Sequence, residues 1–187
     1  WMPIEKFEYD NSRNRCYEIR ANWALYVDNY LEGFHIPFVH NDLNRTLDYD
    51  DYRTEIFDGG VLQIGIARDG EPSFEIPEES PDFGLEVAAY YYWIYPGLML
   101  NFYPWGLSVN LVLPLSVDRT RIEYYGFVWD KKFLGKGAGG DLDKVEEEDQ
   151  FVVESTHRGV SSVSYERGRY SPSKEIGVHH FHQMISS

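Results

Sequence analysis

The chain has 187 residues, of which 43% are hydrophobic, and this suits one folded domain and excludes a disordered chain. Its 17 basic and 31 acidic side chains give a formal net charge of −14 without a basic stripe, so neither nucleic acid nor an anionic membrane is an expected partner. The lone cysteine, Cys16, excludes an internal disulfide and a cysteine-ligated iron–sulfur cluster, and it fits the reducing cytoplasm in which we expect the protein.

The first predicted elements are a short strand and a helix. The strand covers residues 16–21, and the helix covers residues 23–34 with Asn22 as its N-cap. Apolar residues recur in this helix at spacings of three and four, which is typical of one buried face. Pro37 is expected to end or kink the helix, because proline disfavours helical backbone at the residue before it.

The middle of the chain is predicted to be an antiparallel sheet. Strands at 52–57 and 61–67 flank Asp58-Gly59-Gly60, which is a hairpin signal. Short turns then join four further strands, which predicts a meander. These strands cover residues 88–95, 98–103, 107–115 and 121–129. The loop 69–83 is rich in Pro, Glu and Ser, and we expect it to form a lid over a site.

The end of the chain is predicted to be helical. A long helix covers residues 141–159 and a short closing helix covers residues 178–185. Strands that are segregated from helices in this way indicate an α+β fold, in which an antiparallel sheet wraps a long C-terminal helix. The 31 aromatic residues suggest a thick core or an apolar pocket.

Glu32, His35 and His40 are the first candidates for a chemical site. Glu32 and His35 share a face of the predicted helix, and His35 follows Leu31 by four positions, so it points inward. Because Pro37 breaks the helix, His40 can fold back towards His35. Two inward imidazoles beside a carboxylate can bind a metal ion. Two unrelated, partly buried histidines at a helix end explain the same spacing.

Asp149 is the candidate for a third ligand. It belongs to the acidic run 146–149, which is most simply a solvated helix face. At 100° per residue, however, Leu142, Val145, Val153 and Thr156 all lie within about 40° of Asp149, so this carboxylate lies in the middle of the apolar stripe. A carboxylate there is costly unless it is hydrogen-bonded, paired or bound to a metal. Two His and one carboxylate form the facial triad of non-haem Fe(II) oxygenases.

Two stretches of the sequence carry a family resemblance. The segment 28–40 reads DNYLEGFHIPFVH, in which Glu32, two residues, His35, four residues and His40 follow one another. The tail contributes EDQ at 148–150, ESTHRG at 154–159, YERGR at 165–169 and GVHHFH at 177–182. The chain resembles, over nearly its whole length, the catalytic domain of the large (alpha) subunits of Rieske non-haem iron ring-hydroxylating oxygenases. The family's catalytic fold is an antiparallel sheet gripping a helix, related to START-like folds.

The resemblance implies a function and a set of roles. His35, His40 and Asp149 would hold Fe(II), and Glu32 would carry electron transfer from a neighbouring subunit of a homo-oligomer, a trimer by the family pattern. A [2Fe–2S] cluster would lie in a domain upstream of Trp1 or in a partner. A reductase or ferredoxin would supply electrons to that cluster. The substrates would be O2 and an aromatic or largely apolar compound, with N-dealkylation of a methylated amine as the alternative.

The sequence also allows other functions and leaves the roles of several residues undecided. A START-like binding module without redox activity is the rival, and a hydrolytic zinc enzyme lacks an obvious general base. His179, His180 and His182 are expected to be packing and surface residues, and His157 either supports Asp149 or is an ordinary core histidine. The polar sheet residues Asn101, Ser108 and Asn110 either line a pocket or face solvent.

Overall fold

The computed structural model describes residues 2–186, and its order of elements is mixed helix and antiparallel sheet. The strands are β1 (Glu8–Ile19), β2 (Leu47–Phe57), β3 (Gly60–Ala67), β4 (Val87–Ile94), β5 (Leu98–Tyr103), β6 (Gly106–Ser116) and β7 (Arg119–Val128). The helices are α1 (Trp23–Tyr30), α2 (Ile36–Val39), α3 (Asn41–Thr46), α4 (Leu142–Val160) and α5 (Ile176–Ile185).

All seven strands form one sheet in the order β1-β7-β6-β5-β4-β3-β2, and every neighbouring pair is antiparallel. The predicted meander is therefore confirmed, since the strands from β2 to β7 pair in chain order and β1 joins β7. The register shifts once in β1, between Asp10 and Arg15, and once in β2, between Asp48 and Arg53. These two strands are the edges of the sheet, where bulges are common. Further shifts lie between Gly65 and Ile66 of β3 and between Pro114 and Ser116 of β6.

The helices cover one face of the sheet. Val153 of α4 and Phe181 of α5 join one core cluster with Val27 of α1 and with Trp93 and Ile122 of the sheet. The ring of Phe181 packs edge-on against Trp93, with 5.3 Å between the ring centroids. The predicted combination of an antiparallel sheet with a long helix near the C-terminus packed on it is confirmed.

Several boundaries differ from the sequence prediction. Helix α1 ends at Tyr30 rather than at residue 34, and the Leu31 N–H closes it onto Val27 and Asp28. Gly33 follows, and glycine disfavours a helix interior. Pro37 does not end the helix, because it lies in the first turn of the separate helix α2, where a missing N–H costs nothing.

The sequence pattern also missed some structure. Helix α3 was not predicted, and β1 and β2 begin at Glu8 and Leu47, well before the predicted strands. Both strands lie at an edge of the sheet and much of each is exposed, so their polar residues hide the usual alternation.

The loop 69–83 is irregular, as predicted, but the expectation of a lid is wrong. Its Phe74 is buried against Tyr90, with 5.5 Å between the ring centroids, in a cluster with Ile64 and Ile66. These side chains lie on the sheet face opposite the helices, because neighbours along a strand alternate between faces. Among residues 2–186, no helix combines the length and the apolar character needed to cross a membrane.

Gly106, at the start of β6, gives a test of the sheet. Its φ is +155°, and a Cβ at this position would collide with the Phe127 carbonyl oxygen of the neighbouring strand. We expect Gly106→Ala to lower the free energy of unfolding by roughly 2 kcal/mol or more, measured by urea denaturation. Gly159→Ala is the control, since that position is exposed in α4 with no atom within 4 Å of an added Cβ. Equal stability of the two variants would contradict this account.

Candidate metal centre

A single helical turn positions two histidines beside each other. His35 and His40 flank α2 directly, and the His40 N–H bonds to the Ile36 carbonyl at 3.0 Å. The two rings meet at 75°, and their Nε2 atoms are 3.1 Å apart. His40 is only 1% exposed. The fold-back predicted for His40 is therefore confirmed, although α2 rather than a simple break produces it.

Asp149 reaches the same point from the middle of α4. Its Oδ1 lies 3.0 Å from Nε2 of His40 and 3.4 Å from Nε2 of His35. The Asn29 side chain of α1 donates to this oxygen at 2.6 Å and so fixes the carboxylate against the histidines. One ligand atom from each of His35, His40 and Asp149 lies within 4.8 Å of the others. The structure brings together the three residues that the sequence predicted.

Each histidine ring has a carboxylate within hydrogen-bond distance of its Nδ1 atom. Glu32 Oε1 lies 2.7 Å from Nδ1 of His35, and Glu148 Oε2 lies 2.7 Å from Nδ1 of His40. A neutral histidine whose Nδ1–H donates to a carboxylate keeps a free lone pair on Nε2, and the Nε2 atoms of both rings face the shared point. Carboxylate–histidine pairs of this kind orient the imidazoles that bind metals.

The electrostatics of the cluster favour a cation. Burial alone would lower the pKa of His35, but the hydrogen bonds and charges of Asp149 and Glu32 outweigh it and raise the pKa to about 9. Burial would raise the pKa of Asp149, but hydrogen bonds from His35 and His40 lower it to about 2. Both shifts show that the carboxylates around the two rings favour a positive charge at this point, which a proton on His35 supplies and which a metal ion could supply in its place. Two imidazole nitrogens and one carboxylate oxygen fit Fe(II) and leave coordination positions open.

Two supporting residues of this cluster were missed by the sequence analysis. Glu148 was treated only as part of the acidic run 146–149 and given no role, and Asn29 was not considered. Glu32 was correctly paired with His35, but the reason was wrong, because the two residues lie in the turn after α1 and not on one helix face. The proximity of Glu148 to Asp149 in sequence was the available signal.

A cavity of about 110 Å³ opens beside the cluster. It is below the roughly 300–1,000 Å³ of a drug-sized pocket and suits a small ligand. Six tyrosines line it, together with the three buried polar residues of the sheet that were left open between pocket and solvent. The tyrosines are Tyr26, Tyr30, Tyr52, Tyr91, Tyr103 and Tyr124, and the polar residues are Asn101, Ser108 and Asn110.

The remaining histidines lie away from this cluster. His182 bonds to Asp28 at 2.8 Å and to the Tyr170 hydroxyl at 2.5 Å, and His179 packs against the Tyr170 ring. The Nδ1 of His157 is buried without a hydrogen-bond partner among the described residues, so His157 does not support Asp149 through that atom.

The sequence matches the family described as "Ring hydroxylating alpha subunit (catalytic domain)" over residues 1–187. The chloroplastic choline monooxygenase of Arabidopsis thaliana is 35% identical over 180 residues, which covers 91% of this chain and 40% of that protein. The carnitine monooxygenase oxygenase subunit of Escherichia coli (strain K12) is 29% identical over 178 residues, which covers 89% of this chain and 46% of that protein. The chain therefore spans less than half the length of these relatives. Because the plant relative is chloroplastic, a cytoplasmic location stays a prediction.

Solved structures share the fold. A quaternary ammonium Rieske monooxygenase in complex with L-carnitine aligns with a TM-score of 0.71 at 21% identity, over 97% of this chain and 49% of that one. Naphthalene 1,2-dioxygenase from Rhodococcus sp., bound to indole, aligns with a TM-score of 0.66 at 16% identity, over 92% of this chain and 54% of that one.

Metal analysis tests the three ligands. We expect about one Fe(II) per chain in the wild type, and near loss of it in His35→Ala, His40→Ala and Asp149→Ala, since each change removes one of only three protein ligands. Glu147→Ala is the control, because Glu147 is exposed on the same helix. Iron retained in Asp149→Ala but lost in Glu146→Ala would identify Glu146 as the third ligand instead.

Proposed function

The chain belongs to the family of ring-hydroxylating alpha subunits, and we propose that it is the catalytic domain of a Rieske-type oxygenase that oxidises a small methylated amine. One observation carries this proposal. The two-histidine, one-carboxylate cluster, with a carboxylate behind each histidine, faces a tyrosine-lined cavity of small-ligand size.

The chain's own residues hold and orient the reactants. His35, His40 and Asp149 would hold Fe(II) by one atom each, and all three residues line the cavity. Iron held there would supply the activation of O2, in which one oxygen atom enters the substrate and the other becomes water with two electrons and two protons. Glu32 and Glu148 keep both Nε2 atoms directed at the ion, and Asn29 keeps Asp149 in place.

The cavity favours a methylated amine over an arene. Six tyrosine rings can surround a cation and stabilise it through their faces, and a quaternary ammonium group is the usual ligand of such a cage. From the sequence alone, an aromatic or largely apolar substrate was expected first and a methylated amine second. The choline and carnitine monooxygenases among the relatives support reversing that order.

Electrons would come from outside this domain. With one cysteine, the chain has no set of ligands for a [2Fe–2S] cluster, so the cluster would belong to another domain or to a partner chain. Inter-subunit electron transfer is described for a quaternary ammonium Rieske monooxygenase of the same fold. We propose the same route for this protein in a homo-oligomer, which would be a trimer by family resemblance. In that route Glu32 would lie between the cluster of the neighbouring subunit and His35.

Ligand binding tests the substrate class. We expect choline and L-carnitine to raise the Tm of the iron-loaded protein in a thermal-shift assay, because binding to the folded state alone stabilises it. Naphthalene and an aromatic acid are the comparison ligands. Stabilisation by these two alone would return the proposal to ring hydroxylation.

Glu32→Gln tests the route of the electrons. The change keeps the shape of the side chain but removes the negative charge at 2.7 Å from Nδ1 of His35. In a system supplied with its cluster and reductase, we expect turnover to fall by about 10–100-fold while iron and substrate still bind. Turnover within a few-fold of the wild type would exclude Glu32 from the route, and loss of iron would make Glu32 a structural support of the metal site. Glu147→Gln is the matched control.

A further inference from the structure

Glu146 is a buried carboxylate that does not belong to the candidate metal ligands His35, His40 and Asp149. It lies in α4 one turn before Asp149 and is 6% exposed. The Tyr26 hydroxyl of α1 donates to its Oε2 at 2.8 Å, the Tyr124 hydroxyl of β7 donates to the same oxygen, and Gln150 donates to Oε1 at 3.4 Å. Both phenols and Glu146 line the cavity.

Three carboxylates line this cavity, and Glu146 differs from the other two. Glu32 contacts His35, and Asp149 contacts both histidines. Within residues 2–186, no ion pair to a Lys, Arg or His nitrogen is found for Glu146. A buried ionised carboxylate is costly unless a positive charge accompanies it.

The protonation of Glu146 reflects that missing charge. Burial, aided by the negative charge of Asp149, raises the pKa of Glu146 to about 8, although hydrogen bonds from Tyr124, Tyr26 and Gln150 oppose the shift. At neutral pH the empty cavity therefore contains a largely neutral carboxyl group. A cation that enters the cavity favours the ionised form and releases the proton.

The position of Glu146 also fixes where a cation would sit. Residues three apart on a helix have Cβ atoms about 5–6 Å apart, so Glu146 and Asp149 lie side by side on the cavity face of α4. A quaternary ammonium group has no N–H to donate, so ring faces and an opposite charge are what can recognise it. A cationic nitrogen next to Glu146 would place the carbons bonded to it beside the metal ligands.

We propose that Glu146 is the counter-charge that selects a quaternary ammonium substrate in this cavity, with Tyr26 and Tyr124 as the residues that position it. This inference rests on the proposed function. It assigns the preference for a cation to one side chain, separately from the tyrosine rings, which would also accept a neutral ligand of the same shape.

The first measurement compares a cation with its neutral carbon isostere. Titration calorimetry on the iron-loaded protein uses choline and 3,3-dimethylbutan-1-ol, with Glu146→Gln as the variant and Glu147→Gln as the control. We expect Glu146→Gln to weaken choline binding by about tenfold or more and to leave the isostere within a few-fold, because only choline loses an opposite charge. Glu147→Gln should match the wild type for both ligands.

The second measurement needs no variant. Choline binding to the wild type at pH 7, measured in buffers of different ionisation enthalpy, should release a proton, whereas the isostere should release none. The titratable groups that face Glu146 or line the cavity with it are Tyr17 of β1, the six cavity tyrosines including Tyr26 and Tyr124, Glu32, His35, His40 and Asp149. The pKa values of these phenols are raised, so they stay neutral at this pH, and iron would hold His35, His40 and Asp149 in the iron-loaded protein in which the release is measured.

The outcomes separate the two proposals. Equal losses of choline and isostere in Glu146→Gln, or choline binding without proton release, would overturn the role of Glu146 and leave the substrate class intact. A variant that does not fold leaves the decision to the proton measurement. A wild type that binds arenes but no methylated amine would overturn the substrate class and this role together.

Discussion

The contact between α1 and α4 is the feature on which the metal cluster and the cavity both depend. Tyr26 and Asn29 lie three residues apart on α1, and they bond to Glu146 and Asp149, which lie three residues apart on α4. Because both spacings match one helical turn, the two pairs form along the same line of contact. One pair holds the candidate metal ligand Asp149 and the other holds the cavity carboxylate Glu146, so a shift of either helix would move both.

The site concentrates negative charge in a chain that is already strongly acidic. Glu32, Glu148, Asp149 and Glu146 converge around two histidines and the cavity. Water cannot solvate these carboxylates fully, because His40 and Glu146 are buried and the others are partly covered. Cations are the remaining means of balancing them. A divalent metal between the histidines and a monovalent ammonium beside Glu146 would divide that task between two places.

The sequence predicted the candidate metal ligands better than their surroundings. Asp149 was found by helical angle alone, because a carboxylate between Val145 and Val153 breaks the apolar stripe. Strands β3 to β7 were found because alternation and short turns are local signals. Glu146 was not assigned a role, since its position at the edge of the stripe suits exposure as well as burial, and only packing against Tyr26 and Tyr124 decides between them. Helix α2 was not predicted, because Pro37 is typical of a helix end. The prediction of a lid was wrong because no local sequence pattern shows which face of the sheet Phe74 covers.

The segment around α2 is one turn of helix that is held by the buried side chains of Ile36 and His40, while Phe34 and Phe38 are exposed. The contact of His40 with Asp149 joins positions 109 residues apart along the chain. An ion bound by both would act as a reversible cross-link of the folded state, and it would stabilise that state by its free energy of binding, because the unfolded chain does not hold the ligands together. The metal would thus link the α2 segment to α4, and its loss would loosen the α2 segment before the sheet.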